Sequence, residues 1–169
     1  MKVLVAGIGN IFFGDDGFGV EVANRLLARD VPAGVRVTDF GIRGVHLAYE
    51  LLDGYDVLVL VDALPMHEEP GTVALFEPEL DAAPATPEWG DDMAPTLEAH
   101  SMSPAVVLHM LAGLGGTVGR VVVVGCEPAQ LEDGIGLSAP VIAAVDHAVD
   151  AVLDLLREIC VPMEKEARS

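Results

Sequence analysis

Three side chains stand out by type and placement: Asp16, Asp62 and His100. Asp62 closes the apolar run Val57-Leu58-Val59-Leu60-Val61, which places it at the carboxyl end of a central strand. In open α/β sheets that edge is where ligands bind. Asp16 follows Asp15 where the turn Gly7-Ile8-Gly9-Asn10 gives way to a helical pattern, and His100 lies just ahead of a helix predicted to begin near Ser103. Two carboxylates and an imidazole make a mixed oxygen and nitrogen donor set for a divalent transition ion such as nickel or zinc, with positions left open for water or substrate. An ion held this way polarises a scissile carbonyl or its bound water, while a carboxylate handles the proton. Hydrolysis then needs no serine nucleophile. Each residue alone has a plainer explanation: Asp15 as a helix N-cap, Asp16 as a first-turn acid, Asp62 as a turn cap and His100 as an ordinary surface histidine. Their combination at one expected edge is what points to chemistry.

Other chemistries fit less well. The glycines at 7 and 9 suggest a dinucleotide fingerprint, but the third glycine would fall at Phe12, and Asp15 and Asp16 stand where a pyrophosphate would sit. Cys126, at the end of the last strand, could act as a thiol nucleophile with His100 as its base, yet no neighbouring residue in the chain is cationic to favour the thiolate. Ser101 adjoins His100 too closely in sequence to face it productively and suits a helix entry.

The elements that must position these residues are legible as short β-branched runs at 3–6, 35–37, 57–61, 73–76 and 121–124, most of them unbroken rather than alternating. Strands buried on both faces read this way. Helical patterns span 17–28, 45–52, 103–114 and 140–159. The alternation predicts an α/β fold of three layers, helices on both sides of a sheet. Ser138 is the expected N-cap of the last helix, with Pro140 in its first turn and an apolar stripe through Val141, Val145, Ala148, Val152, Leu156 and Ile159. The stretch Glu77 to Glu98, with Trp89 among prolines and acids, is expected to be a long loop, either one that closes over a bound substrate or a solvated surface loop. We expect one domain over 1–160 and a frayed tail over 161–169.

Charge narrows the partners. Nine Lys+Arg against 27 Asp+Glu give a formal −18, and no Lys or Arg occurs between Arg43 and Arg120. A phosphate backbone or an anionic membrane is repelled by such a surface, so no nucleic acid and no membrane insertion are expected. Two isolated cysteines, Cys126 and Cys160, and the lack of a long apolar stretch suit a reducing cytoplasm.

From Lys2 to Ile159 the sequence resembles the hydrogenase maturation endopeptidases, which trim the C-terminus of the large subunit of nickel-iron hydrogenases. The resemblance rests on Gly7-Ile8-Gly9-Asn10, Asp15-Asp16-Gly17-Phe18-Gly19-Val20, Val61-Asp62-Ala63, Glu98-Ala99-His100, Gly125-Cys126-Glu127-Pro128 and Gly134-Ile135-Gly136-Leu137-Ser138. It implies a five-stranded mixed sheet of order 2-1-3-5-4 with strand 4 antiparallel, and it maps the family's metal-contacting and catalytic acids and histidine onto Asp16, Asp62 and His100. It further implies that nickel arrives with the large-subunit precursor, that zinc or cadmium can occupy the same site, and that the protease is a monomer acting on a transient complex. The family cuts after a His or Arg, so Asp39, expected to end the second strand, together with Gly41 and Gly44, is assigned to substrate binding, with Arg43 expected to pair with Asp39. One departure stands out: the family commonly carries Asp-Gly-Gly-Thr-x-Gly where this chain has Asp39-Phe40-Gly41-Ile42-Arg43-Gly44, which bears on substrate choice. Peptidyl-tRNA hydrolase, with a similar opening turn, is disfavoured by charge. A non-catalytic nickel-binding chaperone is the alternative function, although the five histidines are scattered rather than clustered.

Overall fold

A computed structural model describes residues 1–78 and 104–161. Five strands, β1 (Val3–Ile8), β2 (Val35–Gly41), β3 (Val57–Ala63), β4 (Val73–Phe76) and β5 (Arg120–Cys126), form one sheet in the order β2-β1-β3-β5-β4. β2, β1, β3 and β5 run parallel, and β4 pairs antiparallel with β5, Val73 opposite Cys126. This is the mixed five-stranded arrangement anticipated from the resemblance. β1 and β3 are buried along their whole length, which is why their sequences are unbroken apolar runs.

Alternation along the strands divides the core in two. Val3, Val5, Val57, Val59 and Val61 pack with Phe18, Val22 and Leu26 of α1 (Phe18–Leu27) and with Val141, Val145, Ala148, Val152 and Leu156 of α4 (Ala139–Cys160). Leu4, Ala6, Ile8, Leu58 and Leu60 pack on the other side with Leu47 and Leu51 of α2 (Gly44–Leu51) and Val107 and Leu111 of α3 (Pro104–Gly113). Three layers result, with the stripe read along α4 turned to the sheet.

Two local expectations give way. Ser138 does occupy the N-cap position of α4, with extended backbone, but its side chain caps nothing in that helix. β2 does not end at Asp39 but continues to Gly41, and its register against β1 slips by one residue between Gly7–Asp39 and Ile8–Gly41. Phe40 is the extra residue of the bulge, and it is buried in the α2/α3-side core. No described helix is long and apolar enough to cross a membrane. Most of the Glu77 to Glu98 stretch, together with His100 and the 162–169 end of the tail, lies outside the described residues.

Candidate active site at the carboxyl edge of the sheet

The glycines of the first turn serve packing rather than phosphate binding. A Cβ on Gly7 would lie 2.2 Å from the Gly19 carbonyl oxygen, and one on Gly19 would lie 2.1 Å from the Val61 carbonyl oxygen. Only bare backbone lets α1 approach β1 and β3 this closely. Gly9 has φ +135°, and a Cβ there would fall 1.8 Å from the Asp16 carbonyl oxygen. The turn after β1 is thereby pressed against the residue expected to do chemistry.

Asp16 lies in a single 3-10 turn, Gly14–Gly17, that precedes α1, and neither Asp15 nor Asp16 serves as a side-chain cap for that turn. Its carboxylate instead accepts the Asn10 backbone N–H at 2.8 Å, while the Asn10 side-chain oxygen accepts the Phe12 N–H at 2.9 Å. The chain from β1 to α1 is folded around the Asp16 side chain.

Asp62 sits one residue from the end of β3, opposite Gly125 of β5, and is only 5% exposed. Burial first, and the charge of nearby Asp16 second, push its carboxyl well above the usual carboxylate range, against a lowering hydrogen bond from the Ala63 N–H. The charge of Asp16, carried on the turn before α1, thus acts on Asp62 at the end of β3. His100 falls outside the described residues, four positions before α3 begins at Pro104. Among the described residues no group of three His, Cys, Asp or Glu is arranged to hold a metal ion; Asp16 and Asp62 provide two carboxylates.

Beside the turn whose Asn10 N–H donates to Asp16 opens a cavity of about 400 Å³. Its walls are the turn Gly9 to Phe12, Val20 of α1, and Asp39 to Arg43. Asp39 and Gly41 thus border open space next to the turn that holds Asp16, whereas Gly44 is the buried first residue of α2. Gly41 has φ +53°, a conformation that strains any residue with a Cβ. Arg43 does not take the expected partner. Its guanidinium donates to two backbone carbonyls, Asp39 at 2.5 Å and Phe40 at 3.2 Å, closing the turn rather than neutralising the Asp39 carboxylate.

Asp15 is the residue that sequence reasoning undervalued. It is 0% exposed, and its carboxylate accepts the backbone N–H groups of Ala129, Gln130 and Ser138 at 2.8, 2.8 and 2.7 Å and the Ser138 hydroxyl at 2.8 Å. Burial alone would raise its pKa, but these hydrogen bonds outweigh burial and hold it below the ordinary value. Ser138 is drawn to this carboxylate instead of to its own helix. The pairing spans 123 residues, so nothing in local sequence announces it. Cys126 is buried beside the same region, and burial, then Asp15, then Glu127 push its thiol up to about 11. It is a poor nucleophile at neutral pH.

A family model of the hydrogenase maturation proteases matches residues 20–155, from within α1 into α4, a stretch that includes Asp62 but not Asp16. The chain belongs to the hydrogenase maturation protease family. Its fold is similar to that of the hydrogenase maturating endopeptidase HybD from E. coli, with a TM-score of 0.72 at 30% identity over 95% of this chain and 94% of that one. A hydrogenase 2 maturation peptidase from a Thaumarchaeota archaeon is likewise similar, with a TM-score of 0.67, 30% identity and coverage of 92% and 98%. In sequence, the hydrogenase 2 maturation protease of Escherichia coli strain K12 is 31% identical over 165 residues, 94% of this chain and 92% of that protein. Members of the family are proteases, and Asp62 of this chain lies at the carboxyl edge of the sheet, where open α/β folds bind ligands.

Proposed function

We propose that this chain is an endopeptidase that removes the C-terminal extension of a nickel-iron hydrogenase large-subunit precursor after nickel insertion, reading the precursor's nickel through Asp16, Asp62 and His100. The observation that carries this reading is the buried Asp62 carboxyl forced against the charge of Asp16 at the carboxyl edge of the sheet. Two acids in that relation repel, and a divalent cation between them would relieve the repulsion and return Asp62 to its carboxylate form. Nickel is part of the substrate here, and it supplies Lewis acidity at the bond to be cut. Asp16, anchored by the Asn10 N–H, would hold the cation side of the site, and Asp62, once ionised, is the base that would take a proton from the attacking water and pass it to the leaving amine. His100 completes the donor set as a neutral imidazole.

The neighbouring cavity supplies substrate selection. Asp39 offers a carboxylate to a basic side chain, and the aliphatic and aromatic walls made by Ile11, Phe12, Val20 and Phe40 accept its stem. With a formal charge of −18, the chain attracts basic peptide and repels acidic competitors. The protease acts as a monomer in the cytoplasm on a transient complex with the precursor. Incubating it with precursor prepared with and without nickel tests the reading: cleavage only of the nickel-loaded form supports it. Equal cleavage of both forms contradicts nickel recognition, and nickel binding without any cleavage makes the protein a chaperone.

A further inference from the structure

Among the described arginines all but one are occupied by carboxylates. Arg25, Arg29, Arg36, Arg120 and Arg157 each pair with an Asp or Glu. Arg43 pairs with no carboxylate of the described residues: its Nε donates to the Phe40 carbonyl at 3.2 Å and its Nη2 to the Asp39 carbonyl at 2.5 Å. A guanidinium carries five N–H donors, so these two bonds fix its plane and leave the Nη1 donors without a described acceptor. Arg43 shares the wall of the cavity with Asp39, and no other described Lys or Arg lines it. The two opposite charges form no ion pair with each other, so the cavity presents an anion and a cation separately.

The surroundings make that cation selective. No Lys or Arg occurs over residues 44–119 and the formal charge is −18, so a carboxylate approaching this chain is repelled over most of its surface. At Arg43 the repulsion is reversed within the reach of one side chain. The turn that carries it is fixed, with the Arg43 N–H donating to the Phe40 carbonyl at 2.8 Å and the Gly9 N–H to the Gly41 carbonyl at 2.9 Å. A guanidinium already held by two backbone carbonyls loses little freedom on binding, and its remaining donors suit a carboxylate.

Resting on the functional reading above, we propose that Arg43 is a specificity-determining residue: it binds a carboxylate of the precursor's segment at the cut while Asp39 binds the basic side chain. The substrate class is then a peptide that brings one base and one acid to the same cavity. The carboxylate comes from an acidic side chain or from the free C-terminus of the segment to be removed.

Processing kinetics on nickel-loaded precursors test this, with thermal melts of each enzyme variant alongside. Each acidic side chain flanking the cut is changed in turn to its amide, and a further precursor has its C-terminus displaced by added glycines. Wild type should lose about tenfold in kcat/KM on one of these precursors, mainly through KM. Loss on an amide precursor identifies a side chain, and loss on the glycine-extended one identifies the C-terminus. Arg43→Gln should lose about as much on the native precursor and nothing further on the precursor that wild type handles poorly, because both changes remove one contact. If the carboxylate is a side chain, Arg43→Glu should recover cleavage when that acid is replaced by Lys. Losses that multiply, or an unchanged kcat/KM in Arg43→Gln, make Arg43 a brace of the turn and overturn the proposal. Should Arg43→Gln melt well below wild type, the precursor series alone decides. A wild type indifferent to every carboxylate overturns the proposal, while its cleavage of the native precursor leaves the functional reading standing. Failure of wild type to cleave any precursor removes that reading, and this proposal with it.

Discussion

Asp62 is buried one residue from the end of β3 with the charge of Asp16 close enough to raise its pKa, so the site holds two acids in a relation that costs stability. Because its folded pKa lies above the unfolded value, Asp62 is protonated in the native state and ionised in the unfolded state across that interval. Stability therefore falls as pH rises from about 4, the ordinary Asp value, through the folded pKa. Asp62→Asn removes this cost. Thermal melts at neutral pH should show the variant at least as stable as wild type while precursor processing is lost; a melting temperature lowered by several degrees contradicts the account.

Asp15 has the opposite linkage. Its pKa is lowered in the folded protein, so its contribution is fully present above the unfolded value and is lost as pH falls through the folded one. Asp15→Ala leaves three buried or half-buried N–H groups and a hydroxyl without their acceptor, which should cost about 2 to 5 kcal/mol in urea unfolding at pH 7. Titrating both proteins into acid should bring wild type toward the variant. A variant as stable as wild type at pH 7 would remove the anchoring role.

Asp39 borders the cavity with its carboxylate unclaimed by Arg43, whose donors go to backbone carbonyls. Pairing with a desolvated basic side chain is worth about 1 to 3 kcal/mol, or roughly ten- to hundredfold in selectivity. Asp39→Asn should slow cleavage of the native precursor and narrow the preference for a basic over a neutral residue before the cut. Equal discrimination by both proteins would leave Asp39 a residue of the β2 bulge alone.

The free protein should hold divalent metal weakly, because the site is proposed to be completed by the precursor's own nickel. Dialysis against a mild chelator should leave the circular dichroism spectrum and melting temperature unchanged. Unfolding on chelation would mark the metal as structural.

The sheet was legible because strands buried on both faces have a simple signature: unbroken runs such as Val57 to Val61 cannot be mistaken for a solvent-facing pattern. Asp62 was legible for the same reason, as the first polar residue after such a run. What escaped local reading were contacts made across long separations. Asp15 and Ser138 each look like a helix cap, and each is instead the other's partner, through two hydrogen bonds that no short window contains. The extension of β2 to Gly41 was hidden by its bulge, since an inserted residue disrupts the period on which strand ends are read. The glycines at 7 and 9 resemble the start of a phosphate loop in sequence, yet Gly7 is required by the close approach of α1 to β1 and Gly9 by that of the 3-10 turn at Asp16. His100 and the greater part of the proline-rich stretch before it fall outside the described residues, so their assigned roles rest on sequence and family.

The most direct test of the central claim is the mass of a nickel-loaded large-subunit precursor before and after incubation with wild type and with the Asp16→Ala, His100→Ala double variant. The account predicts that wild type shortens the precursor at its C-terminus by a single cut and that the double variant, still folded, leaves its mass unchanged. Cleavage by the double variant at the wild-type rate would contradict the assignment of these residues, and an unaltered precursor after incubation with wild type would contradict the function.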